Sequence, residues 1–427
     1  MMIIIFMLLS SLSISLSSLV LDSLKYNTKI KSQYINIIDN ILKDNLVEFN
    51  KKGVNINGIN TLRSSLEDDS LSLLLNKNNI DDYSFIKDIS KWGDLISISY
   101  CEHLFYRYIS IDCINYKESG IDPFVISKFD DLSNSQTFIE DICLRINDII
   151  DLPIEDALKT VLHISLWGSK KDCKGFSTDS IGSSSSSSAK GTIAKKRNSF
   201  FSGLSSKNNN ILDDRSNSII DLLTSSSDSK DIGIVTGQTG KELFSDLVLA
   251  HVLLSFKVCE TVTFYCKGYP SMLHGVTPTD LYGHIEHLAD RSKSNVWAVH
   301  ILGNALRNHF QLDQFRIQSD DYWCNQHQSF KEISPTVKEQ TANSKLLIIK
   351  GDKNYQRLVD TRDWSTSIDQ DIKNLLDSDW HKIPICIIST IQAENVYGIS
   401  KEELRRALTY ERNFSKDGNF GLIQFKN

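Results

Sequence analysis

The segment Ile232-Gly233-Ile234-Val235 is a short apolar run, and a glycine-containing turn follows it at Thr236 to Gly240. Behind this turn, the spacing of the apolar residues predicts a helix from about Gly240 to Ser255. The next segment, Glu260 to Lys267, includes Thr-Val-Thr-Phe-Tyr-Cys, a run rich in β-branched and aromatic residues. A strand, a helix and a second strand in this order indicate a parallel sheet that is covered on both faces.

The same alternation continues toward the C-terminus. Helices are predicted near Pro278 to Leu288 and Trp297 to Phe310, and buried strands at Leu346 to Ile349 and Ile385 to Ser389. Ser400 and Glu403 have the spacing of a capping box, which predicts a helix through Leu408. Residues 231–427 are therefore predicted to form an α/β domain.

The chain upstream of this domain has a different character. Ile35, Ile38 and Leu42 fall on one face near the helical period, so residues 28–168 are predicted to form a helical N-terminal region. Residues 169–230 are rich in Ser, with six in a row at 183–188, and contain few apolar anchors. We expect a mobile, low-complexity insertion over this stretch.

Residues 1–27 leave two interpretations open. The first 21 residues carry no charged side chain, and Ile3 to Leu9 is an apolar run. A secretory signal has a short apolar core of this kind, although no Lys or Arg precedes it here. A leading helix packed on the domain fits the sequence equally well. Repeated Ser residues argue against a stable membrane span.

Composition excludes one further class of partner. The chain has 47 basic and 53 acidic residues, for a net charge of −6. A nucleic-acid-binding protein neutralises phosphates with a basic excess, so no nucleic-acid partner is expected. None of the eight cysteines forms a Cys-x-x-Cys pair, which argues against a zinc ribbon. The sequence identifies no protein partner.

The loops that follow the strands should carry the chemistry, because ligands of such sheets bind at the carboxyl ends of the strands. The loop after Val235 has Lys241 in the place of a phosphate-loop lysine. That motif also needs Gly at 235 and Ser or Thr at 242, and Glu242 stands at the second place. The helix N-terminus behind this loop still favours an anion. Lys267 at the end of the next strand could bind an anion or be a solvated lysine.

Two further features are candidates for a functional role. The loop from Lys350 to Leu358 carries dense charged and amide groups directly after an apolar strand, and loops of this kind tend to be functional. His284 and His287 are three residues apart and could share a metal ion on a helix, but no third ligand is near in sequence. We interpret these two as surface or half-buried histidines.

Four blocks of the sequence carry a family resemblance. In the first two blocks, Glu102, Tyr106 and Arg107 match the pattern Glu-Cys-Tyr-x-Tyr-Arg, and Asp122-Pro123-Phe124 with Lys128 match Asp-Pro-Phe…Lys. In the third, Leu166-Trp167-Gly168 with Asp172 match Leu-Trp-Gly-Asn-x-x-Asp. In the fourth, Lys350-Gly351-Asp352 with Asn354-Tyr355 and Leu358 match Lys-Gly-Asp-Leu-Asn-Tyr-Arg-Lys-Leu. In these blocks the chain resembles the damage-control phosphatase family, in its sugar-phosphate phosphatase branch, also described as acidic-residue methyltransferase-like. The last block is the most specific.

This resemblance implies a fold and a chemistry. The fold is a helical N-terminal region on a doubly wound α/β/α domain with a mostly parallel sheet, in agreement with the periodicity. The chemistry is hydrolysis of a phosphorylated small molecule, a sugar phosphate, with manganese or another divalent metal, in the cytoplasm. The positions that would bind the substrate are Asp352, Asn354, Tyr355, Arg357, Lys267 and Glu242.

The departures from the family are concentrated in the site. The family's metal signature is Asp-Asn-x-Gly-x-Glu, and here Gly237 and Gln238 stand in place of the Asp and the Asn. A third family ligand, the Asp of a Ser-Asp-Val loop, is replaced by Gly275. The Arg and Lys of a late Arg-Thr-x-Lys motif are replaced by Ser389 and Gln392, so no catalytic cation is intact.

The physical consequence is a weakened site. Hard divalent cations are held by oxygen ligands, largely carboxylates, and glycine has no side chain to supply one. Without the metal and the lysine, the charge that develops in the transition state lacks a stabiliser. We therefore expect the metal to be lost or weak and the protein to be a catalytically impaired phosphatase, a pseudoenzyme.

Two alternatives remain open at this point. The first is an active manganese-dependent phosphatase whose metal site is rebuilt from His274, Asp246, Asp280 and Glu242. The second is a non-catalytic protein that binds a phosphorylated metabolite or acts as a scaffold. A methyltransferase ranks last, because no methyl-donor motif is visible.

Overall fold

The computed structural model describes residues 28–67, 98–169, 208–225, 231–325, 330, 333–359, 383–392, 396–411, 414 and 418–427. The leading segment 1–27 and residues 170–207 of the Ser-rich stretch lie outside these ranges, so what the sequence predicts for them stays a prediction.

Helices make up most of the described chain. They are α1 (Thr28–Lys52), α2 (Ile56–Glu67), α3 (Ile98–Arg107), α4 (Tyr116–Ser119), α5 (Val125–Asn134), α6 (Gln136–Cys143), α7 (Ile146–Ile150), α8 (Ile154–Gly168), α9 (Ser216–Thr224), α10 (Lys241–Ser255), α11 (Pro278–Ala289), α12 (Trp297–Gln311), α13 (Pro335–Thr341), α14 (Asp352–Leu358) and α15 (Lys401–Tyr410). No helix in the described ranges is both long and apolar enough to cross a membrane.

The strands are β1 (Ile211–Asp214), β2 (Asp231–Val235), β3 (Thr261–Lys267), β4 (Phe315–Asp320), β5 (Ser344–Lys350), β6 (Ile385–Thr390) and β7 (Gly421–Lys426). They form one seven-stranded sheet in the order β1-β7-β6-β5-β2-β3-β4. Every pair is parallel except β6 with β7, which is antiparallel. The prediction of an α/β fold with a mostly parallel sheet is confirmed.

The described chain divides into two compact units. The first consists of the described residues up to 127 together with short pieces at 269–273 and 324–327. Its core is helical and includes Tyr34, Ile38 and Phe105, all buried, with the rings of Tyr34 and Phe105 stacked 4.4 Å apart. The prediction of a helical N-terminal region is confirmed for the described part of these residues.

The second unit contains the sheet and two apolar cores, one on each face. Ile232 and Ile234 of β2 point into one core, which also contains Leu247 of α10. Val235 of β2 and Ile349 of β5 belong to the other. Because both faces of these strands are buried, their sequences are nearly continuous apolar runs.

The order of the sheet reverses between β5 and β2. The chain runs outward from β2 to β3 and β4 on one side, and from β5 to β6 and beyond on the other. The carboxyl ends of β2 and β5 therefore flank a topological switch point, the place where open α/β sheets form a ligand crevice.

The structure corrects the predicted C-terminal limit of the Ser-rich insertion. Residues 211–214 form β1, which pairs with β7 in parallel, and residues 216–224 form α9. Ile219, Ile220 and Leu223 of that helix are buried. Two short apolar clusters are sufficient to anchor this segment. The composition of the surrounding Ser and Asn residues nevertheless predicts a mobile insertion.

Candidate functional site

The crevice at the switch point is bounded by the loop after β2 and by the start of α14 after β5. Both turns contain glycine at a demanding position, because Gly240 and Gly351 have φ of +70° and +83°. Such left-handed conformations favour glycine. The turn at Gly240 begins α10 and places Glu242 in the first turn of that helix, facing the crevice.

The Glu242 carboxylate lies between the two loops. It is buried, with 4% of its surface exposed, and its Oε1 accepts a hydrogen bond of 3.3 Å from the backbone N–H of Gln238. A Cβ atom added at Gly237 would lie 1.8 Å from the same Oε1, and one added at Gly351 would lie 2.6 Å from it. Glu242 thus occupies the space that a side chain at 237 would need.

The two other degenerate metal positions are neighbours in space. Gln238 and Gly275 form an isolated antiparallel backbone bridge, and Thr239 N–H donates to the carbonyl of His274 over 2.8 Å. The loop after β2 and the loop after β3 are therefore joined by backbone hydrogen bonds. The only side chain at these two positions is the neutral amide of Gln238.

Lys267 brings a positive charge to the same loop. Its ammonium group donates to the carbonyls of Thr236 and Gly237 at 3.4 and 3.3 Å, and its side chain is buried. Of the two interpretations that the sequence leaves open, the burial of Lys267 excludes a solvated lysine. A cation held here raises the electrostatic cost of placing a second one beside Gly237.

Asp352 is the acidic group on the β5 side of the crevice. Its carboxylate accepts a 2.6 Å hydrogen bond from Gln356 Nε2 and another from the backbone N–H of Gln392. Burial raises the pKa of Asp352 to about 6, and the negative charge of Glu242 adds to this rise. Glu242 and Asp352 are therefore close enough to interact electrostatically across the crevice.

The other predicted substrate contacts of this loop bond backbone atoms of the loops around it. Asn354 Nδ2 donates to the carbonyls of Thr236 and Lys350 at 3.0 and 2.8 Å. Tyr355 Oη bonds the backbone of Tyr397. The geometry thus gives Asn354 and Tyr355 a role in fixing the loops, which sequence spacing alone does not reveal.

Arg357 also serves the framework. It donates to the carbonyl of Tyr322 over 3.0 Å, and its guanidinium lies 4.7 Å from the centre of the Tyr322 ring and 4.8 Å from that of Phe330. This cation–π arrangement buries the charge against aromatic rings.

Ser389 and Gln392 carry no charge into the site. Ser389 is buried and its hydroxyl donates to the Thr390 carbonyl. Gln392 Nε2 donates to Thr390 Oγ1 over 2.9 Å. The end of β6 therefore presents hydroxyl and amide groups where the family resemblance implies Arg and Lys.

The side chains proposed to rebuild a metal site have other partners. Asp246 Oδ1 lies 3.1 Å from Lys350 Nζ and accepts from Ser165 Oγ over 2.9 Å. Burial raises the pKa of Asp246, and the Lys350 ammonium opposes that rise. Asp280 Oδ2 lies 2.6 Å from Lys128 Nζ. Neither carboxylate is free to turn toward a metal ion without leaving a buried lysine unpaired.

The two neighbouring histidines do not share a metal ion. His284 is completely engaged, because its Nδ1 donates to the carbonyl of Asp280 at 2.8 Å and its Nε2 accepts from Gly240 N–H at 2.9 Å. Burial lowers the pKa of His284 to about 4, which keeps the ring neutral. The expectation of surface or half-buried histidines is wrong for both, since His284 and His287 are buried.

The side chains at the crevice determine which ligands a divalent cation would find there. Within the part of the chain that the structure describes, no three or more His, Cys, Asp or Glu side chains are grouped to hold a metal ion. Glu242 and Asp352 are two carboxylates at the crevice, and a third, that of Asp131, lies beside Gly240. Lys267 Nζ donates to the carbonyl of Gly237 in the same loop. The described residues at the crevice thus offer a divalent cation few carboxylate ligands.

One feature of this region was missed although the sequence contains its signal. Thr277-Pro278-Thr279-Asp280 is a capping box with a proline in the first turn, and in the structure Thr277 and Asp280 exchange hydrogen bonds at the start of α11. Recognising it would have assigned Asp280 to the helix terminus rather than to a rebuilt metal site.

Comparison with known proteins identifies relatives of the whole architecture. The profile of the damage-control phosphatase ARMT1-like domain matches residues 21–408. Damage-control phosphatase ARMT1 of Mus musculus is 23% identical over 345 residues, covering 75% of this chain and 74% of the relative. The Danio rerio protein of the same name is 22% identical over 419 residues, covering 90% and 89%. The Homo sapiens protein is 24% identical over 319 residues, covering 71% and 68%.

Proposed function

The chain belongs to the ARMT1-like damage-control phosphatase family, and we propose that it is a catalytically impaired member that binds a phosphorylated small molecule without a divalent metal. One observation carries the proposal. Glu242 Oε1 lies where the side chain of an aspartate at 237 would begin, 1.8 Å from a Cβ added at Gly237. The carboxylate of α10 therefore fills the place of the absent ligand.

The charges at the crevice support loss of the metal. A divalent cation needs several oxygen ligands, and Glu242 and Asp352 provide two carboxylates. Lys267 Nζ already donates to the carbonyl of Gly237. Because like charges repel more strongly in a partly buried site than in water, this ammonium disfavours a metal ion beside the same loop.

The same groups suit a sugar phosphate held by hydrogen bonds. The ammonium of Lys267 and the N-terminus of α10 can attract the phosphate. The carboxylates of Glu242 and Asp352 can accept hydrogen bonds from sugar hydroxyls. Binding by these groups does not polarise the phosphoryl group as a metal ion does, so affinity can persist where hydrolysis is lost.

A phosphatase assay on fructose 1-phosphate with added manganese tests this proposal. We expect phosphate release to stay at the non-enzymatic background, while calorimetry with fructose 1-phosphate in a chelator shows saturable binding. Manganese-dependent turnover would overturn the assignment of impaired catalysis. An absence of binding in the chelator would instead remove the ligand-binding part of the proposal.

The second candidate is an active manganese-dependent phosphatase. It is favoured by a single observation, the electrostatic coupling of Glu242 and Asp352 across the crevice. Two carboxylates and the Gln238 amide could hold a weak metal site if Lys267 moved away. The manganese arm of the assay separates this candidate from the first.

A further inference from the structure

A second cleft lies on the helical hairpin formed by α11 and α12, within the sheet-containing unit. It has a volume of about 710 Å³ and is open to solvent. Its lining consists of Phe129, Gly283, Glu286, His287, Ala289, Asp290, Arg291, Lys293, Asn304 and Arg307. None of these residues belongs to the crevice between β2 and β5.

His287 is the unusual group in this cleft. Only 9% of its surface is exposed, and neither ring nitrogen has a hydrogen-bond partner. The edge of the Phe129 ring contacts it, with the ring centres 6.0 Å apart. A buried polar atom without a partner costs about 1–3 kcal/mol, so such an atom calls for an explanation.

The neighbouring histidines show that this arrangement is not general in the hairpin. His284 uses both ring nitrogens, as described above. His300 on α12 does the same, because its Nδ1 and Nε2 lie 3.2 and 2.8 Å from the carbonyls of Leu288 and Ser294. His287, which lines the cleft, is the one of these three whose ring nitrogens are both buried without a partner.

The charged groups around His287 are mainly basic. Arg307 pairs with Glu286, with 2.8 Å between Nε and Oε1. Asp290 accepts the backbone N–H of Ser292. Arg291 stacks over the Trp297 ring at 5.0 Å. Lys293 is exposed and lies within 4 Å of no carboxylate among the described residues, although Asp290 is near enough to interact with it electrostatically.

We propose that this cleft binds a phosphate-class oxyanion, with His287 donating a ring N–H and Lys293 supplying the charge. Arg291 stands beside Lys293 and adds to the positive field. The volume of about 710 Å³ exceeds that of a free phosphate ion and suits a small phosphorylated metabolite. The site does not rest on the proposed function of the crevice.

The protonation state of His287 fits this role. Burial and the nearby Lys293 lower the pKa of His287, and the Asp290 carboxylate opposes this only in part, so the free ring is neutral at pH 7. A neutral imidazole has one donor and one acceptor, and a phosphate that retains a proton can satisfy both. By reciprocity of linked equilibria, a bound dianion should raise the pKa of the ring.

The test is an NMR titration of the full-length protein labelled with ¹⁵N in its histidines. Inorganic phosphate at pH 7 should shift the His287 signals saturably, whereas sodium chloride at the same ionic strength should not. Lys293→Ala should weaken phosphate binding about tenfold, as expected for loss of one charged hydrogen bond. Lys43→Ala, which removes an exposed lysine of α1, is the matched control and should leave the affinity unchanged.

The outcomes decide the proposal in either direction. His287 signals that ignore phosphate, or that respond equally to chloride, would overturn it, and so would equal affinities for Lys293→Ala and Lys43→Ala. His287→Gln keeps an amide donor and should bind phosphate more weakly than the wild type. Should that variant fail to fold, the exposed Lys293→Ala still decides, because its loss does not touch the core.

Discussion

Two acidic residues one helical turn apart on α10 have opposite surroundings. Asp246 is fully enclosed, with Lys350 Nζ at 3.1 Å and Ser165 Oγ at 2.9 Å. Glu242 faces the crevice and is held by a single long backbone bond to Gln238, 3.3 Å. The enclosed acid belongs to the framework of the fold. The outer acid lies where the family's ligand positions have been lost, and it fills space left by Gly237.

The difference indicates how a protein with this fold can remain stable if it loses catalysis, as we propose for this chain. The pair of Asp246 and Lys350 ties α10 to the end of β5, so a change at either position exposes an uncompensated charge to an apolar core. At the crevice, Gly237 and Gly275 remove side chains without stranding a buried charge. A change at the inner acid is therefore expected to cost stability, whereas the outer loop positions can change at little cost.

The largest effect is expected from breaking the inner pair. Lys350→Met should lower the free energy of unfolding by about 3–5 kcal/mol, because Asp246 is left buried without its cation. Urea unfolding followed by circular dichroism measures the loss. The control is Lys345→Met, since Lys345 is buried but donates to the carbonyls of Leu223 and Ser225. We expect that variant to lose about 1–2 kcal/mol.

Equal losses of stability in the two lysine variants would show that the ion pair of Asp246 and Lys350 contributes no more than the hydrogen bonds of a buried lysine. That result would contradict the structural role given to Asp246. A further variant sharpens it. Adding Asp246→Leu to Lys350→Met removes both charges and should recover part of the stability, since no carboxylate is then left unpaired.

A smaller effect is expected from restoring the outer site. Wild-type protein should show no rise in melting temperature with manganese. The triple variant Gly237→Asp, Gln238→Asn and Gly275→Asp should gain about 2.7 kcal/mol at a hundred times its dissociation constant. Neither Gly237 nor Gly275 has a positive φ, so the backbone accepts the new side chains. Differential scanning fluorimetry with and without manganese measures the gain.

The new aspartate at 237 must displace Glu242, whose flexible side chain can swing toward the crevice. A single Gly237→Asp variant is the matched control and should gain little, because one carboxylate does not make a metal site. Manganese stabilisation of the wild type to the same degree would contradict the view that the outer site has lost its metal. Adding Gln392→Lys to the triple variant should then raise hydrolysis of fructose 1-phosphate.

The central strands were predictable because both of their faces are buried. Val262 to Cys266 and Leu346 to Ile349 are apolar runs bounded by polar residues, which is the pattern of a parallel sheet. β4 was missed because it is an edge strand whose burial alternates irregularly. β7 is an interior strand of six residues, the length of β6, but Gln424 and Lys426 interrupt its apolar run. Strands with irregular or interrupted apolar runs carry too little signal to be separated from loops.

The site could be predicted only in part. The rule that ligands lie at strand ends, together with the family blocks, located Gly237, Gln238, Gly275 and Asp352. It could not reveal that Asn354 and Tyr355 bond backbone atoms, because those partners are distant in sequence. Nor could spacing show that Glu242 reaches the space beside Gly237, since this depends on the path of two loops.

The smallest predicted effect concerns the acid that faces Glu242. Burial raises the pKa of Asp352 to about 6, above the ordinary value of about 4 in an unfolded chain. Between these two values the folded state binds more protons, so this residue makes the protein less stable as the pH rises from about 4 to about 6. Asp352→Asn cannot titrate and escapes this loss. The variant should gain about 2 kcal/mol relative to wild type at pH 7.5 and little at pH 4, as measured by urea unfolding at each pH.

Glu242→Gln is the control for the pH dependence of Asp352. It removes the minor cause of the shift and leaves burial in place, so it should lower the pKa of Asp352 without abolishing the pH dependence. A stability difference between Asp352→Asn and wild type that stays constant from pH 4 to pH 7.5 would show that Asp352 is solvated, and that Glu242 does not face an acidic partner across the crevice.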